Sequence, residues 1–426
     1  MQILTNPKAA PVYSTNVSEG RSPSDVRPLV RLAYLASQYP AVPHTFIFNE
    51  IRELRKLGFE ISTASINACD RPVAQLPEIE RTEQAATFYL KPAGLLKALQ
   101  AVIYSVVKNP LGTLRGLLFT FRLGRGLKRF FYFIEALMIG MWMREKGLAH
   151  LHVHFGTAAS SVGMIVARTF PITYSVTIHG PDEFYEVSNS YLPEKIAAAR
   201  FVCCIGSYTR SQVMKVSPSS QWKKIEVVPL GVDPVKFAPH RRPATVPFEI
   251  LCTARLASTK GHHILVTAVK RLLEENRDVR LRFLGDGPER QSLEQRILEE
   301  GLTGHVILEG AVNQDRIPEF LKKTDVFALA SFAEGVPVSL MEAMASEVPC
   351  VSTLITGIPE LIRDRLDGLL VSPSDDEAMA DALRRLMDEP ELRRRLGKAG
   401  RLRVMDRYNL ERNVGALAEV YYCHLL

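Results

Sequence analysis

The chain has 426 residues, of which 46% are hydrophobic and 23% are charged, and this composition is typical of a globular protein and excludes a disordered one. The length allows two or three domains, and the chain contains no run of about 18 uncharged apolar residues, so we expect no transmembrane helix. The net charge is +7.

Residues 1–28 contain four prolines and no apolar core segment, which predicts a flexible tail and not a secretory signal. The chain also has six cysteines without Cys-x-x-Cys spacing, most of them in apolar runs: Cys69, Cys203, Cys204, Cys252, Cys350 and Cys423. We predict that they are reduced core residues of a cytoplasmic protein, with neither disulfides nor a zinc site.

The first half of the chain alternates strand and helix patterns. Residues 30–37 predict a strand, and residues 46–57 predict a helix because their apolar positions have helical spacing. Further strands are predicted at 150–155, 172–178, 201–205 and 225–228. Residues 29–232 therefore form one predicted α/β domain.

Two histidine-containing segments end strands of this domain, one with His152 and His154 and one with His179. His152 and His154 share a strand face, but the sequence offers no third ligand beside them, so we predict no metal site. A satisfied core residue is the alternative interpretation of each histidine.

A basic region lies within residues 90–148. Between Glu83 and Glu135 the chain has no acidic residue and eight cations, which are Lys91, Lys97, Lys108, Arg115, Arg122, Arg125, Lys128 and Arg129. Aromatic residues are interleaved with them, and amphipathic helices of this kind are typical of an anionic membrane surface. The alternative is a basic helical face packed on its own domain. We expect no nucleic-acid partner, because the chain has no recognisable base-reading module.

A proline-rich and basic stretch at 233–247 predicts a linker. Strands predicted at 248–254, 280–284, 305–309, 326–330 and 350–353 alternate with helical segments, which indicates a second doubly wound domain at 248–404. Ligands of such sheets bind at the carboxyl ends of the strands, so we expect a cleft between the two domains. Residues 405–426 predict one long C-terminal helix.

The turn after the strand at 326–330 carries the clearest chemical signal. Gly335 gives the turn conformational freedom, and Pro337 suits the first position of a following helix, whose free N–H groups form an anion site. Glu334 precedes this helix and Glu342 lies about one turn inside it. Because carboxylates repel phosphate, we expect them to accept hydrogen bonds from hydroxyls on either side of a bound phosphate.

Arg255 and Lys260 follow the strand at 248–254, so both cations emerge at the edge of the sheet where the ligand is expected. They suit a diphosphate, and they would stabilise the negative charge that develops when a nucleoside diphosphate leaves. Gly285 and Gly287 follow the next strand and are typical of a nucleotide-fold turn, although they could serve only to turn the chain.

Glu334-x7-Glu342, with Glu342-Ala343-Met344-Ala345, Pro349 and Gly357-Ile358-Pro359-Glu360, resembles the signature of retaining glycosyltransferase family 4. The resemblance extends to the colanic acid and exopolysaccharide biosynthesis glycosyltransferases of that family. It implies an α/β protein with the GT-B fold, in which two Rossmann-like domains face a central cleft and the C-terminal helix crosses back to the first domain.

The resemblance also implies site residues. Glu342 would hold the ribose hydroxyls, and Glu334 and His179 would lie at the donor sugar. The implied catalytic set is Glu334, His179, Arg255 and Lys260. The implied substrate-binding set is Glu342, Gly335, Val336, Pro337, Val338, Ser339, Gly285, Val312 and His154. Since Arg255 and Lys260 match the family's cation pair and the chain lacks an Asp-x-Asp motif, we expect neither a metal nor another cofactor.

The implied reaction transfers a sugar from a nucleotide-diphosphate sugar to a lipid-linked or oligosaccharide acceptor, at the inner face of the plasma membrane. Two alternatives stay open: a sugar-nucleotide epimerase on the same fold, and a non-catalytic, membrane-associated subunit that binds the donor. The sequence departs from the family pattern twice. Pro43-His44 replaces Ser-Glu in the acceptor loop, and Glu347 replaces a glycine after the signature helix.

Overall fold

The computed structural model describes residues 28–123, 126–240 and 246–426. Most of the predicted tail, Arg125 of the basic region and residues 241–245 of the predicted linker lie outside the described residues.

The first domain is built on a parallel sheet of seven strands in the order β3-β2-β1-β4-β5-β6-β7. Its strands are β1 (Arg31–Gln38), β2 (Glu60–Asn67), β3 (Phe88–Tyr89), β4 (His150–His154), β5 (Thr173–Ile178), β6 (Val202–Cys204) and β7 (Ile225–Val227). Its helices are α1 (Thr45–Lys56), α2 (Glu78–Ala86), α3 (Gly94–Lys108), α4 (Pro110–Arg122), α5 (Leu127–Glu145), α6 (Ala158–Thr169), α7 (Val187–Ser190), α8 (Leu192–Ala198) and α9 (Ser207–Lys215). The central strand β4 is buried throughout, as expected for a sheet covered on both faces.

The second domain has a parallel sheet of six strands in the order β10-β9-β8-β11-β12-β13. The strands are β8 (Phe248–Thr253), β9 (Val279–Leu284), β10 (Val306–Gly310), β11 (Val326–Leu329), β12 (Cys350–Thr353) and β13 (Leu369–Val371). The helices are α10 (His262–Glu274), α11 (Arg290–Glu299), α12 (Ile317–Leu321), α13 (Val338–Ala345), α14 (Ile358–Leu361), α15 (Asp376–Asp388), α16 (Pro390–Arg407) and α17 (Leu410–Leu425). Two sheets with alternating helices confirm the predicted pair of doubly wound α/β domains.

Three strands of the described residues were not predicted from the sequence. Strand β2 has the sequence Glu-Ile-Ser-Thr-Ala-Ser-Ile-Asn, whose small polar residues give little apolar signal, yet its interior is buried between β1 and β3. Strands β3 and β13 have two and three residues and lie at sheet edges, where short segments are paired by their neighbours more than by their own propensity.

The prediction of one helix over 405–426 is wrong. Helix α16 ends at Arg407, and α17 begins at Leu410 after Asn409, whose side chain accepts a hydrogen bond from the N–H of Arg412 at 3.1 Å. This N-cap starts a new helix in a new direction. Helix α17 then packs against α1, and its Leu417 and Tyr421 belong to a hydrophobic cluster of the first domain.

The two chain segments that pass between the domains are hydrogen-bonded to each other. The N–H of Val232 donates to the carbonyl of Tyr408 at 2.9 Å, and the N–H of Leu410 donates to the carbonyl of Val232 at 3.1 Å. This pairing fixes where the chain enters the second domain and where it returns.

Candidate active site

Glu334 lies on the loop that follows β11. Its Oε1 accepts hydrogen bonds from Nζ of Lys260 at 2.6 Å and from Oγ of Ser331 at 2.7 Å, and the residue is only 7% exposed. Lys260 comes from the loop after β8, the strand that pairs with β11. The fold therefore brings together, at the carboxyl ends of adjacent strands, two residues that are 74 positions apart in sequence.

Helix α13 follows this loop, and its N-cap is Pro337, with ψ at 123°. The prediction that Pro337 is the first helical residue is therefore off by one position: its backbone is extended, while its carbonyl accepts the hydrogen bond from the N–H of Met341 at 3.3 Å. Val338 is the first residue of the helix, followed by Ser339.

Glu342 lies inside α13 and is 5% exposed. Its Oε1 accepts a hydrogen bond from Nε2 of Gln314 at 2.8 Å. Burial raises the pKa of Glu342 to about 7, and the hydrogen bond from Gln314 and the positive charge of Lys236 oppose that rise. A carboxyl with such a pKa changes charge near neutral pH, so any hydroxyl that donates to it competes with a proton.

Arg255 and Lys260 differ in their surroundings. Lys260 is ion-paired with Glu334, whereas Arg255 is exposed, and none of the residues that the structure describes forms an ion pair with it. The structure thus leaves the Arg255 guanidinium available to a ligand, while the Lys260 ammonium is held in place by a carboxylate.

The glycine turn after β9 has a structural role. Gly285 has φ of +148°, its N–H donates to the carbonyl of Gly310 at 2.8 Å, and a Cβ there would overlap the carbonyl oxygen of Ala254. Glycine is therefore required at this position for close packing of the loops after β8, β9 and β10.

The loop after β10 contacts the first domain. Val312 is half-buried and packs against the core of the second domain. The next residue, Asn313, accepts a hydrogen bond from Nη1 of Arg71 at 2.5 Å. Arg71 is also ion-paired with Asp70 and Glu80, so a charged cluster of the first domain holds this loop of the second.

The two domains also touch at the turn between Glu334 and Pro337. A Cβ at Gly335 would overlap the carbonyl oxygen of His179, so only glycine allows the turn to approach the first domain this closely, while the adjacent Val336 is 4% exposed in the core of the second. On the other side, the carboxylate of Glu360 accepts hydrogen bonds from the N–H groups of Ser207 and Tyr208 at 2.7 and 2.6 Å. Glu360 thereby caps α9 of the opposite domain.

His154 and His179 are brought together. Nδ1 of His154 lies 3.0 Å from Nε2 of His179, and Nε2 of His154 lies 3.2 Å from Oε1 of Glu50. Burial, and then the neighbouring rings of His154 and His44, hold the pKa of His179 well below its usual range. His179 is therefore a neutral ring near pH 7.

Glu50 also corrects the argument about metals. The carboxylate of Glu50 and the rings of His152 and His154 place ligand atoms within 4.8 Å of one another, so a third potential ligand does lie beside the histidines. However, both ring nitrogens of His152 already face hydroxyls, those of Ser175 at 2.8 Å and Thr177 at 3.0 Å. These partners favour a hydrogen-bond network at this position.

The two departures from the family pattern have structural consequences. Burial lowers the pKa of His44 to about 4, and its ring lies 4.9 Å from that of Phe155, which in turn lies 4.3 Å from the ring of His179. The loop that carries Pro43 and His44 is therefore part of the surroundings of His179. Glu347 has φ of +57°, the left-handed conformation that a glycine would adopt without strain.

Sequence reasoning missed Glu50, Ser331 and Gln314. Glu50 had a usable signal, because it lies four residues after Phe46 and four before Leu54, on the buried face of the predicted helix. A carboxylate on such a face needs a buried partner. Ser331 and Gln314 had no such signal. Both lie in loops, and only the folded conformation of those loops brings them to Glu334 and Glu342.

The basic region forms α3, α4 and the start of α5. The second half of α5 is buried and α4 packs on α6, but the outer faces carry exposed apolar side chains. These are Leu95, Leu96, Leu99, Ile103, Val106, Val107, Leu111, Leu114, Leu118, Phe121, Leu127, Phe130 and Phe131. Leu95 and Leu111 are 89% and 82% exposed. We call this set, with the exposed cations Lys108, Arg122 and Lys128, the outer face.

Across the described ranges, none of the helices combines the length and the apolar character needed to cross a membrane. The cysteines are unpaired; four are buried and Cys69 is half-buried. Cys423 is exposed, so the prediction of a core position is wrong for it, because that side of α17 faces solvent.

Comparison with known proteins gives consistent matches. Residues 237–403 match the family model of glycosyl transferases group 1. The putative colanic acid biosynthesis glycosyltransferase WcaL of Escherichia coli (strain K12) is 29% identical over 379 residues, 83% of this chain and 90% of that protein. The amylovoran biosynthesis glycosyltransferase AmsK of Erwinia amylovora is 27% identical over 377 residues, 84% of this chain and 90% of that protein.

The solved structure of Anabaena Alr3699/HepE in complex with UDP and glucose has a TM-score of 0.68 and 15% identity, covering 92% of this chain and 99% of that chain. At 15% identity, this similarity shows only that the two proteins share a fold.

Proposed function

We propose a reaction for this chain, which is a glycosyltransferase of the GT-B fold that resembles the colanic acid and amylovoran biosynthesis enzymes. It transfers a sugar from a nucleoside-diphosphate sugar to a lipid-linked or oligosaccharide acceptor, with retention of anomeric configuration, in exopolysaccharide biosynthesis. The observation that carries the proposal is the Lys260–Glu334 pair, 2.6 Å apart at the carboxyl ends of two adjacent strands.

The donor lies along the second domain. Its ribose hydroxyls donate to the carboxylate of Glu342, and its diphosphate lies at the N-terminus of α13, where free N–H groups attract anions. The guanidinium of Arg255 and the ammonium of Lys260 bind the diphosphate and stabilise the charge that develops as it leaves. These cations do the work that a divalent metal does elsewhere, so the proposed reaction needs no metal.

Glu334 serves the donor sugar. Because its Oε1 is held by Lys260 and Ser331, the carboxylate has a fixed orientation from which it accepts hydrogen bonds from sugar hydroxyls. The acceptor hydroxyl attacks from the face on which the diphosphate leaves, and an oxygen of the departing diphosphate takes its proton. This same-face course retains the configuration and explains why no separate base is required.

The acceptor is presented at a membrane surface. The outer face combines cations with at least 13 exposed large apolar side chains, and residues 84–134 contain no acidic residue. Cations attract anionic headgroups, and exposed leucines and phenylalanines insert among the acyl chains, so an anionic membrane is the occupant that satisfies both. A lipid-linked acceptor in that membrane would then reach the cleft by lateral diffusion.

The reaction is tested by measuring nucleoside diphosphate release from a panel of uridine and guanosine diphosphate sugars, with and without a lipid-linked acceptor. The proposal expects release that depends on the acceptor. Isomerised nucleotide sugar without an acceptor would indicate an epimerase, and binding without turnover would indicate a non-catalytic subunit; either result overturns it.

Membrane binding is tested by liposome flotation with anionic vesicles. Replacing Lys108, Arg122 and Lys128 with Gln should weaken binding at least tenfold, since each cation near such a surface contributes about 1 kcal/mol. A matched control replaces Lys322, Lys323 and Arg395, three exposed cations of the second domain. Equal flotation of the two triple variants would reject the outer face as the docking surface.

A further inference from the structure

We infer that Glu50 and His154 are positioning residues that hold the ring of His179 with its Nδ1 as a hydrogen-bond acceptor for a substrate hydroxyl. The substrate part of this inference rests on the proposed function. The tautomer part rests on the hydrogen bonds together with neutral rings at His154 and His179, and it does not depend on the reaction.

A chain of five buried side chains runs from the C-terminal helix to the site. The hydroxyls of Tyr421 and Tyr34 are 2.7 Å apart, and the Tyr34 hydroxyl donates to Oε1 of Glu50 at 2.7 Å. The same Oε1 lies 3.2 Å from Nε2 of His154, whose Nδ1 lies 3.0 Å from Nε2 of His179. The exposed fraction of each residue is 7% or less.

The donors and acceptors in this chain have one consistent order when Glu50 is a carboxylate and His154 is a neutral ring, the two states that the inference assigns to them. An ionised carboxylate only accepts, so Nε2 of His154 must carry the proton that it donates to Glu50. The neutral ring of His154 then has an unprotonated Nδ1, which accepts a hydrogen bond from Nε2–H of His179. A neutral His179 with its proton on Nε2 has a lone pair on Nδ1.

That Nδ1 is the free end of the chain. In the part of the molecule that the structure describes, it has no hydrogen-bond partner, and the residue keeps 6% of its surface exposed. The rings of Phe155 and Phe46 lie 4.3 and 4.9 Å from the His179 ring and restrict its rotation. Glu183 fixes the backbone by accepting from the N–H of His179 at 2.6 Å.

The location of this free acceptor gives it a use. The carbonyl of His179 contacts the turn at Gly335, one residue after Glu334, so the ring lies where the two domains meet. Burial is the largest cause of the lowered pKa of His179, and among the described residues the ionisable groups that add to it are His154 and His44, both histidines. A neutral ring with a fixed lone pair can accept a hydrogen bond from a sugar or acceptor hydroxyl without a charge change.

The direct test is nitrogen-15 NMR of the full chain, labelled on histidine, at pH 7.5 and without substrate. The His179 signals are assigned by their loss in His179→Asn. We expect a protonated Nε2 and an unprotonated Nδ1. A protonated Nδ1 in the wild-type chain overturns the inference, whatever the protein catalyses, and this measurement needs no destabilised variant.

Variants separate positioning from structural support. Glu50→Gln can keep an oxygen at the Oε1 position, so it should retain the tautomer and rescue activity to within about threefold, whereas Glu50→Ala and His154→Phe should give a mixture of tautomers. Those two should lower kcat/KM for transfer by about tenfold, the worth of one oriented hydrogen bond.

Binding of a nucleoside diphosphate without its sugar should stay within about twofold of wild type in Glu50→Ala, because the affected contact is to a hydroxyl of the sugar or acceptor. Tyr421→Phe, which leaves the Tyr34 donor to Glu50 in place, is the matched control and should keep the tautomer. An unchanged His179 tautomer in a folded Glu50→Ala or His154→Phe would contradict the inference. Failure of transfer by the wild-type chain would instead count against the proposed function.

Discussion

Nζ of Lys260 lies 2.6 Å from Oε1 of Glu334, and this ion pair joins the loops that follow strands β8 and β11. The lysine is 25% and the glutamate 9% exposed at the side chain, so the pair is mostly buried and its lysine is the more accessible member. The cation that we propose for the diphosphate and the carboxylate that we propose for the sugar are thereby held side by side.

Lys260→Ala and Glu334→Ala should each lower turnover by about 10²-fold or more. The first variant removes a cation proposed to stabilise the leaving diphosphate, and the second removes the carboxylate proposed to orient the donor sugar. The fold should persist, because Ser331 still donates to Glu334 in the first variant and Lys260 can be solvated in the second. Initial rates and circular dichroism check both points.

Lys270→Ala is the matched control for this prediction. Lys270 is also ion-paired, with Glu300 at 3.3 Å, but it lies on the outer side of α10. If turnover in Lys260→Ala or Glu334→Ala were as near to normal as in Lys270→Ala, the catalytic roles proposed for Lys260 and Glu334 would be wrong.

Donor affinity should depend on pH through Glu342. Its pKa is raised to about 7 in the free chain. In the proposed donor complex the ribose hydroxyls donate much more strongly to the ionised carboxylate than to its protonated form, so donor binding lowers that pKa. Affinity for the donor sugar nucleotide should therefore be about tenfold weaker at pH 6 than at pH 8.

Isothermal titration calorimetry with the intact sugar nucleotide provides the measurement, and Glu342→Gln provides the control. The variant should bind more weakly but show a flat profile over the same range. A wild-type profile that is flat, or that strengthens toward low pH, would exclude Glu342 as the ribose ligand.

Much of the second domain could be predicted from the sequence, and the reasons are local. Strand β12 was predicted with its observed bounds, and β11 to within one residue. Strand β11 is a short apolar run ended by polar residues, and β12 begins directly after Pro349. The motif around Glu334 could also be recognised, because all of its residues lie between Glu334 and Glu360.

The chain of five buried side chains that ends at His179 could not be predicted in the same way. Its members come from α1, β1, β4, α17 and the loop after β5, which are far apart in sequence. Glu50 and Tyr421 become neighbours only when the C-terminal helix returns to the first domain. Similarly, the break at Asn409 is made by a single capping residue, which periodicity over 405–426 does not reveal.

Glu360→Gln should loosen the contact between the domains. Both carboxylate oxygens accept N–H groups at the start of α9, and an amide would place a donor against one of them. We expect about tenfold weaker donor binding, because the arrangement in which the two domains are in contact becomes less populated, and a larger radius of gyration in small-angle scattering.

Glu391→Gln is the control for this change, since Glu391 is 77% exposed at the side chain and pairs only with Arg394 among the described residues. Donor affinity and scattering that match this control would show that Glu360 does not hold the domains together.

Glu347→Gly should stabilise the protein. The left-handed conformation of Glu347 costs a non-glycine residue about 1–2 kcal/mol, and glycine removes this cost. Glycine also has more conformational freedom in the unfolded chain, which offsets part of the benefit. The expected net increase in the free energy of unfolding is about 0.5–1 kcal/mol. Urea unfolding measures it. Asn276→Gly, at φ of +58°, should gain less because asparagine tolerates this conformation, and equal gains at both positions would contradict the explanation.

The central claim is a sugar transfer with retention from a nucleotide-diphosphate donor. The most direct measurement is proton NMR of the anomeric centre in the product formed from a donor of known configuration, with nucleoside diphosphate counted in the same sample. We predict the donor's anomeric configuration in the product and one nucleoside diphosphate released for each sugar transferred. An inverted anomeric centre, or an isomerised donor with no diphosphate released, would contradict the account.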